Sequence, residues 1–150
     1  MEIESLVPTG SYETDLVAWS ERQAALARAR RAHRLDLSNL AEELEEMGRR
    51  EKRALESDLT RLLMHLLKWK IQPERRGGSW HLTIRESRRS VSRILADSPS
   101  LGPYLDAVFD DCYENARGDA AAETGLPQTA FPAAPPFSRR ETLDPGYLPD

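Results

Sequence analysis

Apolar residues recur along one stretch of this chain at helical spacing: Leu37, Leu40, Leu44, Met47, Leu55, Leu59, Leu62 and Leu66. At 100° per residue these positions form one stripe. A helix running from Leu37 to Ile71 has 35 residues, or about 52 Å at 1.5 Å each. A compact domain of this size is only about 40 Å across. Such a helix must break, bend, protrude or pack against a second subunit. Gly48 is the natural break point, because glycine is poor in a helix interior; it also lies near the apolar side, where it would let another helix approach closely. Asp36 or Ser38 can cap the helix, and Glu42 and Glu43 follow in its early turns. Glu45 with Arg49 and Glu46 with Arg50 are pairs four apart in the favoured order.

Three more helices surround this one. The first is read from about Tyr12 to His33, with Leu16, Trp19 and Leu26 on its apolar side and Arg28, Arg30, Arg31 and Arg34 crowding its end. Pro73 stops the long helix, and Arg76-Gly77-Gly78-Ser79 is a turn. Ser79 can cap a helix from Trp80 to Ala96, with Trp80, Ile84, Val91, Ile94 and Leu95 facing inward. Another runs from about Leu101 to Glu123, with Leu101, Leu105, Val108, Phe109, Cys112 and Ala116 on one side, and Gly125 ends it. The last 25 residues hold six of the ten prolines, so no long helix fits there. Leu126, Phe131, Phe137, Leu143, Tyr147 and Leu148 are spaced anchors, which predicts a strap lying over the helices, with Ser138 and Glu141 forming a capping box. No segment shows the period of a strand. The expected architecture is all-α: a bundle of about four main helices in a single domain over 1–150, with a helical core at about 12–124 and a Pro-rich strap at 125–150.

Composition narrows the class. The chain has 150 residues, 39% hydrophobic and 31% charged, which suits a folded globular domain. Cys112 is the single cysteine, so an intrachain disulfide and a cysteine-based zinc site are excluded. The acidic start lacks the layout of a signal peptide, and no apolar run approaches the roughly 20 residues of a membrane span. A cytoplasmic protein without membrane attachment is expected.

Some polar residues interrupt the pattern. Glu51, Asp58 and His65 stand seven apart, near the centre of the long stripe. Neighbours in this set lie about 10.5 Å apart along the axis, too far for one metal ion to bridge. His33, His65 and His81 stand in no metal-ligand spacing. No metal site and no cofactor are expected. Arg88 breaks the stripe of the next helix, and an antiparallel hairpin brings it within reach of Asp58. The four residues Glu51, Asp58, His65 and Arg88 form a candidate polar cluster, read as interhelical ion pairing.

Net charge is −4, but from Lys68 to Arg93 eight bases face two acids. The segment is therefore +6 and the rest of the chain −10. Lys68, Lys70, Arg75, Arg76, Arg85 and Arg89, interleaved with Trp69 and Trp80, make a candidate surface for an anion or nucleic acid. The plainer reading pairs these bases with acids of neighbouring helices and packs the two indoles on each other or under the strap. No helix-turn-helix or glycine-rich phosphate loop accompanies them. For nucleophilic chemistry, Cys112 lies on an apolar stripe, where a buried inert thiol is the expectation, and no serine sits in a Gly-x-Ser-x-Gly elbow.

The chain also resembles a known family. The matching blocks are Tyr12-x-x-Asp15-x-x-x-Trp19, Leu35-Asp36-x-x-Asn39-Leu40-x-Glu42-Glu43-Leu44 and His65-Leu66-Leu67-Lys68-Trp69. They continue with Gln72-Pro73-x-x-Arg76, Ser79-Trp80-x-x-Thr83-Ile84, Ser98-Pro99-Ser100-Leu101, Glu123-Thr124-Gly125-Leu126 and Phe131-Pro132. In that order, over about residues 11–149, they are similar to the bacterial family catalogued as domain of unknown function 29. The resemblance implies a small helical bacterial protein with no established activity. Ala134-Pro135-Pro136 stands where such proteins often carry Cys-Pro before an aromatic, so no cysteine role applies there.

Three functions are compatible with these features. The leading expectation is a non-enzymatic module that docks on a protein partner or on its own copy. The alternative is a nucleic-acid-binding protein using the 68–93 stripe. The third is an enzyme whose site combines Asp58 and His65 with arginines of the following helix.

Overall fold

A computed structural model describes residues 10–150. Among them are five α-helices and no strand: α1 (Leu16–Arg28), α2 (Leu37–Ile71), α3 (Gly78–Asp97), α4 (Leu101–Thr124) and α5 (Arg139–Leu143). The all-α expectation holds. The chain divides into two compact units, Met1–Arg49 and Arg50–Asp150, and α2 runs without interruption from one into the other. Gly48 therefore does not break the helix, although the boundary between the units falls beside it.

In the first unit, Asp15 caps α1 by accepting from the Ala18 amide at 3.0 Å. α1 is shorter than its composition suggests, because the residues after Arg28 close it. Arg30 adopts φ 57°, and the Arg31 amide donates back to the Leu26 carbonyl at 2.9 Å. This is a helix-terminating geometry that usually takes glycine in the left-handed position. Trp19 is buried, with Tyr12 edge-on at 4.9 Å. Its indole N–H donates to Asp36 at 3.0 Å, and buried Gln23 accepts from the Asp36 amide at 2.8 Å. Asp36 in turn accepts from the Asn39 side chain at 2.8 Å at the start of α2. Hydrogen bonds from Asn39 and then Trp19 hold the Asp36 carboxyl below its ordinary pKa.

In the second unit, Leu55, Leu59, Leu62, Leu63, Leu66 and Leu67 of α2 are fully buried. They pack with Ile84 and Val91 of α3 and with Leu105, Phe109, Tyr113 and Ala116 of α4. α3 begins two residues earlier than Ser79 would set it: Gly77 is its cap and no side chain caps it. α4 ends at Gly125 with φ 74°, as a left-handed glycine stop requires.

The Pro-rich segment is a strap on this core. Phe131 and Phe137 are buried, and Leu126, Leu143, Tyr147 and Leu148 pack against the same cluster. Ser138 and Glu141 form the expected capping box at α5. Backbone carbonyls of the strap accept from arginines below it. Arg117 donates to Phe131 at 3.2 Å and Gln128 at 3.3 Å. Arg88 donates to Thr142 at 2.9 Å and Glu141 at 3.5 Å. Arg76 donates to Pro149 at 3.4 Å. Tyr113 donates to the Pro132 carbonyl at 2.6 Å, and burial pushes its phenol up to about 12.

Candidate functional site: an uncovered helix face, a polar groove and a basic row

The polar residues of the long helix do not converge. Glu51 is exposed. Asp58 accepts from the Ser90 hydroxyl and lies 3.4 Å from Arg61. His65 is half-buried, and its Nδ1 sits 2.9 Å from the Arg61 carbonyl, so this nitrogen carries the proton and donates. Burial, which disfavours the imidazolium, lowers its pKa. Arg88 does not meet Asp58. It is buried and turned to the strap, where two carbonyls satisfy it without a carboxylate. The expected Arg88–Asp58 pair is thus corrected. The reason is that a backbone acceptor has no side-chain signature, so α5 offers nothing in sequence to compete visibly with an aspartate.

A groove of about 770 Å³ lies between α2 and α4. Arg53 and Arg61 are on its α2 wall, Asp111 and Asp119 on its α4 wall, and Cys112 is part of its lining. The Cys112 thiol is 3.8 Å from the Glu56 carbonyl, and burial raises its pKa, so it is held as the thiol. Tyr104 donates to the Glu56 carboxylate. Neither Asp58, His65 nor Arg88 lines this groove. Among the described residues, no group of three His, Cys, Asp or Glu could hold a metal ion.

The basic segment separates into two sets. Lys68 is buried; its ammonium pairs with Glu123 and lies 4.6 Å over the Trp80 ring. Arg76 donates to the Trp69 carbonyl at 2.7 Å, and its guanidinium is 5.3 Å from the Trp69 ring. With Arg88, these bases are structural. Lys70, Arg75, Arg85, Arg89 and Arg93 instead make no side-chain hydrogen bond or ion pair among the described residues. Trp69 and Trp80 are both half-buried; Trp69 faces His81 at 6.2 Å, tilted.

The feature that periodicity misplaced is the N-terminal part of the long stripe. Leu37, Leu44 and Met47 were expected in the core and are 66%, 65% and 54% exposed. With Leu16 and Val17 of α1, the first unit holds five of the six large apolar side chains exposed among the described residues; the sixth is Leu82.

This architecture defines a small all-helical protein with an arginine-fastened strap. The chain belongs to the family described as Domain of unknown function DUF29, whose model matches residues 11–148. No curated protein and no solved structure matches the chain. No described helix is long and apolar enough to cross a membrane.

Proposed function

We infer that this chain is a non-enzymatic protein-interaction module and that the first-unit face of α2 is its docking surface. The observation that carries the reading is the exposure of Leu37, Leu44 and Met47 along one side of a helix. Charge selects the occupant. Residues 37–49 carry four acids, Glu42, Glu43, Glu45 and Glu46, against Arg49 alone. Arg49 lies 2.9 Å from Glu46, 3.6 Å from Glu45 and 3.9 Å from Glu42, and the stretch still nets −3. The complementary ligand is a helix of a partner protein with an apolar face edged by lysine and arginine. We place the module in the cytoplasm, where a lone thiol and no disulfide are the ordinary state.

The test uses a synthetic amphipathic helix of leucine and lysine and a control of leucine and glutamate. The first should bind in a fluorescence titration, and L44S/M47S should weaken it at least tenfold, about 1.4 kcal/mol. The control should not bind. Absence of binding, or equal binding by the variant, overturns the reading. A dimer seen in sedimentation that dissociates in L44S/M47S also overturns it, and gives the face to a second copy.

A further inference from the structure

α3 carries its charge in a row. His81, Arg85, Arg89 and Arg93 follow one another at intervals of four, and all are exposed. Successive side chains at this interval lie about 6 Å apart along the helix and share one side of it. The opposite side, with Ile84, Ser87, Arg88 and Val91, is buried. Like charges four apart destabilise a helix by a few tenths of a kcal/mol per pair. The row thus weakens α3 slightly, and none of its arginines has a counter-charge among the described residues. Folding does not need this arrangement, whereas an anionic ligand does. Glu86 is the one acid within the span of the row.

The N-terminal end of the row is aromatic. The His81 ring is exposed and lies 6.2 Å from the Trp69 ring, over which Arg76 sits at 5.3 Å. Leu82, 51% exposed, adds apolar surface next to it. A row of guanidinium groups ending at two neighbouring, tilted rings matches a ligand with repeated phosphates and flat bases. Unpaired bases are what such rings can reach.

We propose that the exposed side of α3 binds a single-stranded nucleic acid, with phosphates on Arg85, Arg89 and Arg93 and an unpaired base against His81. Lys70, beside Trp69 in sequence, and Arg75, just before α3, extend the positive charge at that end. The proposal is independent of the docking face described above.

The test is fluorescence anisotropy of labelled oligouridylate and oligothymidylate with the full chain, titrated at several salt concentrations. Both strands should bind at low salt, and tighter binding of the uridylate would assign the site to RNA. R85A/R89A/R93A should lower the slope of log affinity against log salt by about 2, because each phosphate contact on a single strand contributes about 0.7. R85K/R89K/R93K should restore it. H81A should weaken binding about fivefold or more with the slope unchanged. All these side chains are exposed, so the melting temperature should stay near the parent value and the fold remain intact. No binding at low salt, or an unchanged slope in the triple alanine variant, overturns the proposal. So does binding to phosphatidylglycerol vesicles, or to the leucine–glutamate helix, in place of either oligonucleotide.

Discussion

The two halves of α2 carry the same leucine rhythm and meet opposite fates. Leu55, Leu59, Leu62 and Leu66 have no accessible surface, while Leu37 and Leu44 keep about two-thirds of theirs. At 100° per residue, position 37 repeats at 55 and position 44 at 62, so helical arithmetic assigns both sets to one stripe and does not tell them apart. The second set is closed by α3, α4 and the strap, whereas Leu37 and Leu44 of the first unit stay exposed. Periodicity reports that a helix has an apolar side; whether that side is covered depends on what else the chain brings to it.

The sharpest way to break this contrast is a matched pair of truncations. Leu62→Ala should cost about 2–5 kcal/mol, because a buried leucine leaves a cavity. Leu44→Ala should change stability by no more than about 0.5 kcal/mol. Thermal melting of the two variants measures both. Equal losses would mean that Leu44 is covered in solution.

Next in size is Arg88→Met, expected to cost about 1–3 kcal/mol by leaving the Thr142 carbonyl buried and unpaired. A double-mutant cycle with Asp58→Asn should show coupling near zero, since Asp58 bonds to Ser90 and Arg61 instead. Coupling above about 1 kcal/mol would restore the ion pair that sequence reasoning favours.

What the sequence made legible follows from where the information sits. The span of α2, the glycine stop at Gly125, the capping box of Ser138 and Glu141, and the strap anchors Phe131 and Phe137 are all encoded in side chains at short range. The early end of α1 was hidden because Arg30 takes a conformation normally signalled by glycine. The partners of Arg76, Arg88 and Arg117 were hidden because they are backbone carbonyls. The candidate surfaces were half legible: the basic segment stood out, but sequence could not sort buried Lys68 and Arg88 from exposed Arg85, Arg89 and Arg93.

His65 lets pH probe the second unit. Its folded pKa lies below the ordinary 6.5, so the unfolded chain takes up a proton more readily. Stability is therefore full above pH 6.5 and falls as pH drops through 6.5 towards the folded value. Denaturant midpoints for the parent and for His65→Gln should diverge over that window, with the parent losing more. Parallel curves would mean that His65 is solvated.

The smallest expected effect tests whether the two units behave separately. Arg30→Gly relieves a left-handed arginine and should stabilise the end of α1 by about 0.5 kcal/mol, the relief being partly offset by the freer unfolded chain. Amide exchange resolves where the gain appears. If α1 and its cap open independently of the leucine core, exchange should slow at residues 19–35 and stay unchanged at Leu59, Leu63 and Leu67. If protection rises equally in both places, the halves of α2 unfold together. The contrast in their exposure would then be one of surface alone, with no separation of stability beneath it.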